Sequence, residues 1–134
     1  MTYQTLSPGM TLEDRKIVTV EDSAVHLGSG SLKVFATPAM VAFVEQTCRA
    51  LVEPVLPESK TTVGSSIKIK HLAPTPLGAE VHIRAQVEHV DENVIKFSAQ
   101  VWDGVEKVGE ATHTRVVIDI DRFLKRVAQK SRPN

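Results

Sequence analysis

Three residues of the central segment, Thr37, Glu45 and His71, are of types that carry acyl-transfer and proton chemistry. A threonine hydroxyl can polarise or attack a reacting group, a carboxylate can attack or activate water, and an imidazole can move a proton near neutral pH. Thr37 and Pro38 open the run AMVAFVEQTCRALVEP and so stand at a helix start. That end of a helix offers unpaired N–H groups and a positive dipole end, which suit a carbonyl oxygen as it becomes an oxyanion.

Each residue also has a plainer role. Thr37 can be an N-cap, Glu45 can lie on a wet stripe with Gln46 and pair with Arg49 one turn on, and His71 can be a hydrogen-bonded core histidine. Against the plain reading of Glu45 stands its company of Val41, Ala42, Val44 and Cys48, where an unpartnered carboxylate is costly. Thr37 and Glu45 are eight residues apart, roughly 12 Å along one helix. A second, antiparallel copy of the helix would bring Glu45 of one protomer near Thr37 of the other, so a site shared across a dimer is expected.

The elements that must position these groups follow from periodicity. A helix is expected from Pro38 to Glu53, with Pro54 at its end. Met40, Val41, Phe43, Val44, Thr47, Cys48, Leu51 and Val52 spread round most of its circumference, so it should be largely enclosed. After PESKTT the period changes to alternation in SSIKIKHLA, where Ile67, Ile69 and His71 share the inner face and Lys68 and Lys70 the outer. Val81, Ile83, Ala85 and Val87 alternate with polar residues, DEN makes a turn, and VIKFSAQVW follows as the next strand. Asp103-Gly104 turns into a last strand, VEKVGEATHTRVVIDI, bent or bulged near Gly109, before a short amphipathic tail from Asp121.

One enclosed helix and several antiparallel strands bury their apolar surfaces together only if a curved sheet wraps the helix. The expected class is therefore α+β, a hotdog fold, as a single domain over residues 1–134. Edge strands and an uncovered part of the helix favour a homodimer or a higher homo-oligomer.

The 134 residues carry balanced charge, net zero with histidine neutral, so there is no basic field to gather nucleic acid. The start MTYQTLSPGM has no signal pattern, and no run is apolar enough to span a bilayer, which predicts a cytoplasmic protein without membrane attachment. Cys48 is the one cysteine, excluding an internal disulfide, and reads as a small hydrophobe. His82, His89 and His113 show no zinc spacing, and neither metal nor cofactor is expected.

The segments VFATPAMVAFVEQTC, VGSSIKIKHLAPTPLG and WDGVEKVGEATHTRVVI resemble the fluoroacetyl-CoA thioesterase family over most of the chain. The resemblance implies an acyl-CoA thioesterase whose catalytic residues are Thr37, Glu45 and His71, with Gly64 beside the acyl group and Arg115 supporting the site. Selectivity for a fluorinated acyl group depends on pocket shape and a lid, and SAVHLGSGSLK before the helix carries no aromatic residue. The expected substrate is therefore a short acyl-CoA, the fluoroacetyl ester being one member of the class.

In the favoured mechanism the helix N-terminus holds the carbonyl, Glu45 attacks it or activates water, and His71 handles the proton for the departing thiolate. Thr37 would then polarise or position the reacting group. Thr37 as nucleophile is the third route, and it requires His71 within hydrogen-bond reach. Lys68, Lys70, Arg84 and Lys96 are exposed cations available to CoA phosphates as a group. Two rival functions are a non-catalytic acyl-CoA-binding module and a hotdog enoyl-CoA hydratase or dehydratase.

Overall fold

A computed structural model describes residues 6–131. Five strands, β1 (Thr11–Ile17), β2 (Lys60–His71), β3 (Glu80–Asp91), β4 (Val94–Trp102) and β5 (Lys107–Asp119), form one antiparallel sheet in the order β1-β3-β4-β5-β2. The long helix α2 (Thr37–Val52) packs across one face, a short helix α1 (Ala24–Leu27) precedes it, and α3 (Ile120–Lys130) closes the described chain. This is the α+β, helix-in-sheet arrangement that the periodicity predicts.

The inner face of the sheet is written in alternate residues. Val81, Ile83, Ala85 and Val87 of β3, Ile95, Phe97, Ala99 and Val101 of β4, and Ala111 and Val117 of β5 are buried. They close on Ala39, Met40, Phe43, Val44, Cys48, Leu51 and Val52 of α2, so strand period and helix period meet in one core. On β5 the same inward face also carries two polar residues, His113 and Arg115, both buried.

Two expectations about α2 are corrected. The N-cap is Ala36 rather than Thr37, and no side-chain oxygen caps the helix; Thr37 is already its first residue. The helix is also less enclosed than its composition suggests, because Pro38, Ala42, Gln46, Arg49 and Ala50 form an exposed stripe opposite the core. Arg49 pairs with Glu53 at 3.5 Å, one turn toward the C-terminus, which leaves Glu45 to another partner.

Of the register shifts among the described strands, one lies on β3 between Val87 and His89 and the other two fall beside the site. β2 bulges between Gly64 and Ser66, and the pairing of β4 with β5 shifts between Val101 and Trp102, where Gly109 opposes Val101. A Cβ on Gly109 would collide with Met40 Sδ and lie 2.9 Å from its Cε, so glycine there lets a fully buried Met40 seat α2 against β5. Glu92, with φ of 53°, makes the tight turn between β3 and β4.

β1 was not legible from periodicity, because Glu13, Asp14, Arg15 and Lys16 interrupt its alternation; its pairing with β3 from Thr11–Gln86 to Ile17–Glu80 makes it a strand. The amphipathic tail is α3, with Phe123, Leu124 and Val127 exposed. No helix among the described residues is long and apolar enough to cross a membrane.

Candidate active site

The approach to α2 is clamped on both sides. Phe35 N–H donates to the Thr75 carbonyl at 2.9 Å, Ala36 N–H donates to the Asp22 carbonyl at 2.9 Å, and Val34 bridges Pro76. Thr75 is itself held by Asp103 Oδ2, which accepts from its hydroxyl at 3.0 Å. Met40 N–H is the first in the helix to find an intrahelical carbonyl, that of Ala36 at 3.0 Å. Pro38 has no N–H, so the first turn turns the N–H groups of Thr37 and Ala39 toward whatever meets the helix end.

Thr37 Oγ1 lies 2.8 Å from His71 Nδ1. The histidine comes from the far end of β2, where His71 pairs with Gly109 and the Leu72 N–H donates to the Val108 carbonyl at 2.7 Å. Phe35 meets the imidazole edge-on at 6.2 Å. Burial lowers the pKa of His71 below its ordinary value, with the Ala73 backbone opposing, so the ring is neutral at pH 7. Its Nε2 is buried and has no hydrogen-bond partner among the described residues.

Two turns along α2, Glu45 faces a second group. Its Oε2 stands 3.7 Å from Arg115 Nη1, with the carboxylate side chain 41% exposed and the guanidinium side chain only 7%. Arg115 is anchored on its other edge, where Nε donates to Thr62 Oγ1 at 2.7 Å and Nη2 to the Thr62 carbonyl at 3.0 Å. Burial lowers the Arg115 pKa while Glu45 raises it, and a guanidinium stays charged throughout the working range. An added Cβ on Gly64 would lie 2.6 Å from Glu45 Oε2, 3.2 Å from His113 Cε1 and 3.4 Å from Arg115 Nη1. Glycine is thus what lets the carboxylate, the imidazole and the guanidinium converge on β2.

The five residues singled out from the sequence therefore fall into two sets within one chain. Thr37 and His71 form one pair; Glu45, Gly64 and Arg115 form the other, about 12 Å further along the axis of α2. Sequence reasoning undervalued His113, which touches the second set. The available signal was the inward alternation of His113 with Arg115 on one strand.

Beneath this set lies Cys48, fully buried, its thiol pushed up to about 12 by burial, with Glu45 adding to the rise and Arg115 opposing it. It is a packed thiol, as its apolar setting predicts. Among the described residues no three His, Cys, Asp or Glu side chains gather in a cluster able to hold a metal ion.

The sheet wrapped on one helix that carries these two pairs has structural counterparts in its fold. The fluoroacetyl-CoA thioesterase FlK superposes with a TM-score of 0.90 at 28% identity, covering 95% of this chain and 98% of that one. A hot-dog-like protein from Thermanaerovibrio acidaminovorans superposes with a TM-score of 0.88 at 25% identity, covering 95% and 94%. Fold and site together define a hotdog acyl-CoA thioesterase. The model of the family described as fluoroacetyl-CoA-specific thioesterase matches residues 18–121, and the fluoroacetyl-CoA thioesterase of Streptantibioticus cattleyicolor is 33% identical over 99 residues, 74% of this chain and 71% of that protein. The chain belongs to this fluoroacetyl-CoA-specific thioesterase family.

Proposed function

We propose that the protein hydrolyses a short acyl-CoA at a site completed by two protomers, Thr37 and His71 from one and Glu45, Gly64 and Arg115 from the other. The observation that carries this reading is the 2.8 Å contact of Thr37 Oγ1 with His71 Nδ1 at a helix start, which meets the condition for an activated hydroxyl. β2 is an edge strand of the sheet, and Gly64 and His71 mark the levels of the two half-sites along it. Antiparallel pairing of two β2 edges about a dyad near Ile67 and Lys68 would set Gly64 and Glu45 of one protomer opposite His71 and Thr37 of its partner. A homodimer is the smallest assembly that does this.

In the reaction the N–H groups of the first turn of α2 hold the thioester oxygen. Thr37 Oγ attacks the carbonyl carbon as its proton passes to His71 Nδ1, which requires the Nε2–H tautomer. The tetrahedral intermediate collapses with breakage of the C–S bond, and His71 returns the proton to the CoA thiolate. Glu45 then takes a proton from water, which attacks the Thr37 ester; the acyl C–O bond breaks to release the acid, and the proton passes from Glu45 to Thr37 Oγ, restoring hydroxyl and carboxylate. The hydrogen bond moves weight from Glu45 as attacking group to Thr37, and leaves the carboxylate to water. A direct attack by Glu45-activated water uses the same groups and differs in leaving no acyl-threonine.

A short acyl chain is supported by the narrowness of the Gly64 level, where three side chains approach within 3.4 Å of a single missing Cβ. It is supported too by the relatives: a threonine-to-serine variant of FlK was solved in complex with acetyl-CoA, with 95% of this chain covered at a TM-score of 0.89. Hydrolysis of a free CoA ester suits a cytoplasmic location. The test is thiol release from fluoroacetyl-, acetyl-, propionyl-, butyryl- and octanoyl-CoA. Turnover confined to the short esters is expected; binding of all of them without thiol release would make the protein an acyl-CoA-binding module, and consumption of crotonyl-CoA without thiol release would make it a hydratase.

A further inference from the structure

We infer that His113 is a positioning residue that holds Arg115, and through it the Glu45 carboxylate, by offering an acceptor nitrogen whose identity the Ser66 carbonyl dictates. The inference rests on the reading that Glu45 works in the reaction.

The chain of contacts leaves one arrangement of protons. His113 Nδ1 lies 2.8 Å from the Ser66 carbonyl oxygen, which can only accept, so Nδ1 carries the hydrogen. In a neutral ring Nε2 then holds a lone pair, and it lies 3.2 Å from Arg115 Nη1, which can only donate. The same Nη1 faces Glu45 Oε2 at 3.7 Å, while Nε and Nη2 are spent on Thr62. Arg115 is therefore fixed on one edge by Thr62, and the nitrogen aimed at Glu45 is fixed by His113.

Local backbone explains why the histidine can do this. The bulge between Gly64 and Ser66 shifts the β2 register beside His113, and Gly64, lacking a Cβ, lets the imidazole Cε1 come close to the strand, 3.2 Å from where that Cβ would stand. Phe97 of β4 stacks on the ring at 6.0 Å between centroids. The charged groups acting on the ring are Arg115 from its own strand and Glu45 from α2; β2 contributes the Ser66 carbonyl, and β4 only the Phe97 ring. Burial lowers the pKa of His113 and Arg115 adds to this, with Ser66 and Glu45 opposing, so the acceptor state persists at neutral pH. A proton on Nε2 would point an N–H at a guanidinium N–H and drive Arg115 out of line.

The test pairs a proton readout with kinetics. Nitrogen-15 spectra of the His113 ring in the whole protein should show the Nδ1–H tautomer, and Arg115→Met should raise the pH at which the ring protonates. His113→Phe keeps the ring volume without the acceptor, and His113→Gln restores an acceptor oxygen toward Arg115. His113→Phe should lower kcat by about ten- to a hundredfold, with KM changed by less than about twofold, since small misplacement of a working group acts on the chemical step. His113→Gln should recover most of that loss at an unfolding midpoint no higher than that of the phenylalanine variant. An Nε2–H tautomer overturns the inference, as does wild-type kcat in His113→Phe while Glu45→Ala has lost activity. Wild-type kcat in both His113→Phe and Glu45→Ala would instead overturn the role of Glu45 itself, and the inference with it, whatever the ring spectra show.

Discussion

Thr37 Oγ1 and His71 Nδ1 stand 2.8 Å apart although 34 residues separate them, one on the first turn of α2 and the other at the end of β2. The hydroxyl stands one residue inside the N-cap, Ala36, and meets the imidazole, while the helix carries no side-chain cap. A helix start without a side-chain cap forgoes about 1 kcal/mol; with Ala36 at the cap, no side chain claims the N–H groups of the first turn.

Replacing the hydroxyl separates its functions. Thr37→Ala should lower kcat by about 10²-fold or more, the usual range for losing a group served by a general base. Thr37→Ser should keep activity close to the wild type, since serine presents the same oxygen to His71. Steady-state thiol release with one short acyl-CoA measures both; full activity in the alanine variant would remove Thr37 from the mechanism.

Two histidines, His113 buried and His71 half-buried, set an acid limit on stability. His71 and His113 are both held below the ordinary histidine value of 6.5, chiefly by burial. As pH falls through 6.5 the unfolded chain takes up protons that the folded chain still refuses, so stability declines from there down to the depressed folded values. Above that window their contribution is complete and level. Urea midpoints measured from pH 8 to pH 5 should hold steady and then fall below about 6.5, and the acid side of the thiol-release rate should lie below the same point, because His71 remains an available base there.

Gly64→Ala places a Cβ 2.6 Å from Glu45 Oε2. The carboxylate ends a flexible, part-exposed side chain and can swing aside, so the fold should lose no more than about 1 kcal/mol. Activity should suffer far more, with kcat/KM reduced by about tenfold or more, because the proposed mechanism assigns activation of water to the displaced carboxylate. Denaturant unfolding beside thiol-release kinetics gives the two numbers, and a loss of stability without loss of rate would assign Gly64 to packing alone.

Cys48 should be silent toward thiol reagents. With no exposed surface and a thiol pushed up to about 12, it presents almost no thiolate at pH 8. Iodoacetamide should leave the native protein unlabelled and should modify it in denaturant; rapid native labelling would contradict the packing described around α2.

Much of this was legible in the chain, for identifiable reasons. The alternation of Val81 through Val87 and of Ile67, Ile69 and His71 gave both the strands and their inward faces, because a strand buried on one side repeats every two residues. Thr37, Glu45 and His71 were visible as reactive types at element ends and on buried faces. What stayed hidden were relations between distant residues. That Thr37 meets His71 depends on where β2 ends, that it does not cap α2 depends on the helix taking Ala36 as its N-cap, and that Glu45 meets Arg115 rather than Arg49 depends on the register of β2 on β5. β1 was lost among its charges because an edge strand has little inner face to write into its sequence.

The account stands or falls on the two half-sites, Thr37 with His71 and Glu45 with Arg115, acting on one thioester across a dimer. Thr37→Ala and Glu45→Ala chains, each inactive alone, should be refolded together in equal amounts and assayed for thiol release from acetyl-CoA and fluoroacetyl-CoA. Random pairing makes half of the dimers mixed, each with one intact site, so about a quarter of wild-type activity is predicted to return. No activity above that of the separate variants, in a preparation shown to contain mixed dimers, would contradict it.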